Sequence, residues 1–154
     1  MKTHDDVILA HLREDSRMTL TKMSKRTNIP VSTLHERMKS YRKGVVTRHT
    51  ALIDFAMLGY GARARVLLRV NKEHKKKLRD HLTHSPFMNE LYKVNNGFDF
   101  MVEFVFKQMK DMEEYLDQLE EMYQIDKPQV FYLVDEVKKE AFLSKPQLLM
   151  MRRR

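Results

Sequence analysis

Residues 16–44, SRMTLTKMSKRTNIPVSTLHERMKSYRKG, decide how this chain is read. Thr19 is a good N-cap for a short helix over 20–27, with Leu20 and Met23 turned inward. Asn28-Ile29-Pro30 then stops that helix, because the residue before a proline avoids the helical region. Ser32 offers a second N-cap, for a helix over 33–43 whose Leu34, Met38 and Tyr41 form an apolar stripe. Gly44 stands where a left-handed residue is wanted after such a helix. Helix, tight turn, helix is the pattern with which many proteins enter the DNA major groove. Any small helical bundle also has short helices with basic faces, so the pattern needs support from the rest of the chain.

Working outward, Val7, Ile8, Leu9 and Leu12 recur at helical spacing and predict a first helix over 3–15, with Asp5 and Asp6 favoured at its positive end. On the other side, residues 45–49 (VVTRH) read as a short β segment, the start of a wing. Residues 1–50 hold 11 basic and 5 acidic side chains, a surplus that favours a polyanion partner, because phosphate contacts supply most non-specific affinity. Candidate base contacts are the short or polar side chains at the start of the third helix and along its outer face: Ser32, Thr33, His35, Glu36 and Lys39. Arg17, Lys22, Arg37, Arg42 and Arg48 are the candidates for phosphate, with Thr19 and Lys43 completing the DNA-facing set.

After Asp54 the period changes. Ala62, Ala64, Val66, Leu68 and Val70 alternate with Arg63, Arg65, Leu67 and Arg69, a strand of period two. A helix over 73–82, strands over 87–94 and 98–106, a helix over 107–122 and a strand over 130–137 follow. Asn95-Asn96-Gly97 is a strong hairpin turn between the middle two strands. The order βαββαβ is that of a ferredoxin-like domain, a four-stranded antiparallel sheet with both helices on one face. The other face is also apolar, which predicts homodimerisation through the sheets, with Arg65 and Glu103 paired across neighbouring strands on that open face. The fold class is therefore α+β, an N-terminal winged helix-turn-helix (1–50), a hinge (51–59), a ferredoxin-like domain (60–139) and a basic tail (140–154).

Composition excludes several classes. The 154 residues contain no cysteine, so there is no disulfide framework, thiolate zinc site or cysteine nucleophile. No apolar run approaches the roughly 18–20 residues of a membrane span, and residues 1–6 lack a signal peptide's basic and apolar blocks, so a cytoplasmic protein with no membrane partner is expected. The seven histidines are expected to be solvated surface residues rather than metal ligands: His74 and His81 lie two helical turns apart, about 10 Å. The acidic run Asp111, Glu113, Glu114, Asp117, Glu120, Glu121 reads as the solvated face of a helix. No nucleophile–base pair, glycine-rich phosphate loop or paired-carboxylate motif is visible, so no catalytic residue, metal or cofactor is assigned and no enzyme is expected. Arg152-Arg153-Arg154 reads as a frayed tail or a non-specific phosphate or subunit contact.

The two halves together resemble the Lrp/AsnC family of bacterial and archaeal transcription regulators, over residues 5–139. The resemblance rests on Asp5…Ile8-Leu9…Leu12, Arg17-Met18-Thr19, Ser32-Thr33-Leu34-His35-Glu36-Arg37-Met38, Gly44-Val45-Val46, Asp54…Leu58-Gly59 and Phe98-Asp99-Phe100. It implies a sequence-specific regulator that binds double-stranded DNA as a homodimer, tetramer or octamer, and an amino-acid effector held by the sheet domain, which is RAM-like in that family. The family's effector hairpin carries Gly-x-x-Asp. Here Asp99 supplies the acid, Asn96 stands in the glycine's place and Gly97 follows it, so these three are the candidate effector residues. The alternative is an architectural oligomer that coats DNA with little sequence preference and no effector.

Overall fold

The computed structural model describes residues 5–147, in the order α1 (Asp5–Glu14), α2 (Leu20–Thr27), α3 (Val31–Tyr41), a 3₁₀ turn (Ala56–Leu58), β1 (Ala62–Leu68), α4 (Lys75–His84), β2 (Met88–Lys93), β3 (Phe100–Phe106), α5 (Met109–Tyr123) and β4 (Gln129–Tyr132). The chain divides into two compact units, residues 53–136 and a unit formed by residues 1–52 with 137–154.

In the first unit Ile8, Leu9 and Leu12 of α1 pack with Met18, Met23, Ile29, Leu34 and Tyr41. Met23 and Leu34 are fully buried, each worth roughly 1.5–3 kcal/mol against exposure. Thr19 caps α2 as expected, its hydroxyl oxygen accepting from Lys22 N at 3.2 Å. Asn28, at φ 57°, closes α2 in the left-handed region. Three local expectations fail. The N-cap of α3 is Pro30 rather than Ser32: with φ −56° and ψ 142° it already carries the chain from the Asn28 stop into the helix, and Ser32 lies inside the first turn. Gly44 is not left-handed, because α3 runs out through Arg42 in helical geometry, with Gly44 N and Val46 N both donating to Tyr41 O. Residues 46–54 form no regular element in place of the wing's β segment; with no partner strand in this unit among the described residues, extended backbone there is better hydrated than paired.

In the second unit the strands lie in the order β2-β3-β1-β4, all antiparallel. Phe100, Val102, Phe104 and Phe106 of β3 and Ala62, Ala64, Val66 and Leu68 of β1 face one side, where Leu78 and Leu82 of α4 and Met112, Leu116 and Leu119 of α5 close the core. This is the ferredoxin-like layout read from the alternation. β4 is shorter than expected: after Leu133 N donates to Arg63 O the partner strand has nearly ended, and Val134 and Val137 are almost fully exposed. The β2–β3 hairpin turns through Asn96 (φ 60°) and Gly97 (φ 87°), the consecutive positive angles that a primed turn demands.

The open face of this sheet is where charge meets burial. Arg65 pairs with Glu103 in register, with Nε 3.3 Å from Oε2. Glu103 is also bound by Arg63 (2.8 Å) and Asn89 (3.0 Å), and is only 3% exposed. Burial pushes its pKa up, but the hydrogen bonds from Arg63 and Asn89 and the two positive charges outweigh it and hold the carboxyl below its ordinary value. Arg63 reaches on to Glu136 and Arg65 to Glu90, so the pair expected from sequence is the centre of a wider network.

His35, His49 and His84 are exposed as expected, but other histidines depart from expectation. His11 is buried (3% exposed) with neither ring nitrogen hydrogen bonded, its nearest charged neighbour being Glu14 at 3.5 Å. His81 is half-buried between α4 and α5, its ring nitrogens bonded to the hydroxyls of Tyr115 (3.2 Å) and Tyr123 (3.1 Å). Both positions fall on inward-facing helix turns; the His81 ring clasps two hydroxyls, whereas the His11 ring packs without a hydrogen bond.

Candidate nucleic-acid interface

The third helix owes its orientation to its inner side. Leu34 and Tyr41 are buried and Met38 packs against the same core, which leaves the arc from His35 through Lys39, Ser32, Glu36, Ser40 and Thr33 outward at 100° per residue. Ser32, Thr33, Glu36, Arg37 and Ser40 line a shallow concavity of about 450 Å³. Three of the five side chains expected to meet bases therefore share one hollow. His35 and Lys39 flank it, exposed, with His35 Nδ1 3.8 Å from Glu36 Oε1.

Of the residues expected at phosphate, Arg17, Lys22, Arg42 and Arg48 are exposed, as is Lys43 of the wider DNA-facing set. Thr19 is exposed too, though its oxygen is engaged as the α2 cap. Arg37 differs: it is only partly exposed and its guanidinium lies 3.6 Å from Asp5, a carboxylate that is 4% exposed. Tyr41 donates to the same carboxylate at 2.6 Å. Burial, the hydrogen bond to Asp5 and the charge of that carboxylate raise the Tyr41 pKa well above its ordinary value, so the phenol stays a donor at any physiological pH. Asp5, Tyr41 and Arg37 thus fasten α1 to α3 through a buried polar contact. Sequence reading placed the three in separate roles. The signal was faint: a hydroxyl at an apolar stripe position, 36 residues from its acid.

The hairpin residues are structural as well as accessible. Asp99 accepts from Val70 N at 3.0 Å and pairs with Lys75 at 2.5 Å. Burial opposes its ionisation, but Lys75 and the Val70 amide prevail and the carboxyl titrates below its ordinary value. Arg69 donates to Gly97 O at 2.6 Å and stacks its guanidinium over Phe98. Among the described residues no three His, Asp or Glu side chains gather as a metal site, and no helix is long and apolar enough to cross a membrane.

Comparison with known proteins agrees with this geometry. A family model described as winged helix-turn-helix DNA-binding matches residues 5–44. The HTH-type transcriptional regulator FL11 of Pyrococcus horikoshii is 31% identical over 114 residues, covering 73% of this chain and 76% of its own. A transcriptional regulator of Neisseria meningitidis, solved as its L-Met complex, superposes with a TM-score of 0.81 at 20% identity, over 90% of this chain and 92% of that one. An AsnC family transcriptional regulator from Agrobacterium tumefaciens gives 0.80 at 19% identity, over 90% and 94%. With the helix-turn-helix unit, the ferredoxin-like sheet and these relatives in agreement, the chain belongs to the Lrp/AsnC family of DNA-binding transcription regulators.

Proposed function

We propose that this regulator binds a partly palindromic duplex as a homodimer joined through the open faces of its sheets, with α3 of each copy in a major groove. The observation that carries the reading is the outer face of α3: Ser32, Thr33 and Glu36 around one hollow, on a unit rich in exposed Lys and Arg. Ser32, Thr33, His35, Glu36 and Lys39 read bases. Thr19, Arg17, Lys22, Arg42, Lys43 and Arg48 hold the backbone, and Arg37 mainly positions the helix through Asp5. Phe131 and Tyr92 on the sheet are exposed beside a buried, neutralised charge network, which favours burial against a second copy. Selection from random duplexes tests the reading. Recovery of a two-fold symmetric motif is expected; recovery of unselected sequence at equal affinity points to the architectural alternative. A scattering mass of one chain at micromolar concentration sinks the dimer.

The L-Met complex of the Neisseria regulator supports an amino acid as effector here as well, held near Asn96, Gly97 and Asp99 of the hairpin. Melting-point screening against the amino acids tests this, since a ligand of the native state raises stability by mass action. A flat screen leaves Asp99 with its structural contacts to Lys75 and Val70 alone.

A further inference from the structure

The expected frayed tail or phosphate contact at Arg152-Arg153-Arg154 lies outside the described residues. Among the described residues, the sheet unit has a cavity of about 370 Å³ whose lining belongs to that unit alone. Small-molecule sites occupy about 300–1,000 Å³. Phe106, at the end of β3, is 3% exposed and stacks on Phe87, with ring centroids 4.3 Å apart. Tyr115 of α5 meets both rings, at 5.4 and 5.5 Å. Its hydroxyl donates to Ser85 Oγ at 2.9 Å and lies 3.2 Å from His81 Nε2, so the ring cannot turn away without losing hydrogen bonds. Tyr60, just before β1, is the fourth ring of the lining. Phe87 and Tyr60 still leave 37% and 36% of their surface to water. Exposed rings around a hollow gain by being covered.

Charge decides what suits them as cover. Asp111 and Glu114, three residues apart on α5, share the lining. Glu114 pairs with Lys110 at 3.6 Å, an exposed contact of little strength, and Asp111 has no ion pair among the described residues. α5 carries six carboxylates against one lysine. Burial, with the charges of Asp117 and Glu113, pushes the Glu120 carboxyl above its ordinary pKa, a sign that this helix is short of cations. Lys107, also in the lining, holds its ammonium 5.6 Å from the centroid of the Tyr60 ring. That contact shows a cation accepted against these rings, and the exposed, flexible lysine can yield the ring to a ligand. The cavity lies at the end of β3 opposite the hairpin: six strand positions, about 20 Å, separate Phe100 from Phe106. It is on the helix side of the sheet, so a dimer through the open faces leaves it uncovered.

We propose that this cavity is a second small-molecule site, for an organic cation with an apolar body. The ammonium is held by Asp111 and Glu114 and by the face of Tyr60, and the body packs on Phe87 and Phe106. The site is separate from the hairpin and does not depend on the amino-acid reading of it.

Three probes with the same phenethyl body test the site: phenethylamine, 2-phenylethanol and 3-phenylpropanoate, which are cationic, neutral and anionic at neutral pH. Each is titrated into the full chain and followed by NMR. Phenethylamine is expected to bind most tightly, with a dissociation constant of about 1 mM for so small a ligand, and its methylene protons to move upfield over the rings. Asp111→Asn with Glu114→Gln is expected to weaken phenethylamine about fivefold and to leave 2-phenylethanol unchanged. Tyr60→Leu should weaken the amine more than the alcohol. Equal binding of amine and alcohol overturns the proposal, because the hollow is then merely apolar. Preference for the carboxylate overturns it too, making Lys107 the recognising group. So do an absence of shifts with all three probes, amine binding unchanged in the Asp111→Asn, Glu114→Gln chain, and shifts confined to residues 95–99 of the hairpin.

Discussion

Each of the two units buries one carboxylate among the described residues, and they neutralise it differently. Asp5, in the helical unit, meets a neutral phenol at 2.6 Å and a partly exposed guanidinium at 3.6 Å. Glu103, in the sheet, meets Arg63 and Arg65 together with an amide donor. The first arrangement is lean and local: it sets the angle at which α1 holds α3. The second gathers several like and unlike charges on the face that carries exposed Phe131 and Tyr92. In the helical unit Arg13, Arg26 and Arg37 pair with acids, while Arg17, Lys22, Arg42, Lys43 and Arg48 stand exposed. On the open face of the sheet the buried carboxylate is balanced by cations of the same sheet.

The largest effect that probes this contrast is Glu103→Ala. It leaves Arg63 (18% side-chain exposure) without its main partner, and about 3 kcal/mol of stability should be lost. Hydrogen exchange read by peptide should show the loss across β1 and β3 and not across α1–α3; protection lost equally in both units would break the comparison. Tyr41→Phe removes one hydrogen bond to a buried acid, for a cost of about 1–2 kcal/mol confined to the helical unit. Exchange rates in α1 and α3 that match wild type would show that the other contacts of Asp5 suffice.

Gly97→Ala comes next, at about 1 kcal/mol, since φ 87° disfavours any side chain. The new Cβ would lie 2.9 Å from the flexible end of Arg69, which can move aside. Thermal melting checks this, and an unchanged midpoint would mean that the hairpin relaxes. Acid sharpens the comparison further. Glu103 and Asp99 both titrate below their ordinary values of 4.5 and 3.8 in the folded chain. Their contribution is fully present above those values and is lost as pH falls through the lower folded ones. Stability should therefore decline below about pH 4.5, more gently in Glu103→Gln, and an identical decline in that variant would remove Glu103 from the account. Smallest for stability is Lys39→Ala, within about 0.5 kcal/mol of wild type. Its effect should be on DNA, with a salt slope flatter by about one unit if the ammonium neutralises a phosphate as well as facing bases. Unchanged affinity and slope would take Lys39 out of the interface.

How much of this was legible beforehand follows from how local each cause is. Thr19 as a cap, the two-residue alternation of β1 and the Asn96-Gly97 turn depend on a few neighbouring side chains, and all were readable in order. The Arg65–Glu103 pair was readable once the strand order was assumed, because antiparallel register puts those two opposite each other. The α3 start after Pro30, the absent β segment at 45–49 and the early end of β4 were not, because each depends on whether a partner strand or a preceding left-handed residue is there to use.

By itself, then, the sequence determined the periodicities, and through them two layers of known kind and the outward face of α3. Contacts between residues distant in the chain were decided only in three dimensions: Asp5 with Tyr41 across 36 positions, Arg63 with Glu103 across 40, Arg13 with Glu140 across 127. A single side chain carries no record of which distant group will lie beside it. Periodic burial selects the face, but only packing brings the partner, and that is why the contact of Arg37 with Asp5 and the grouping of the C-terminal segment with the helical unit appear only in the folded chain.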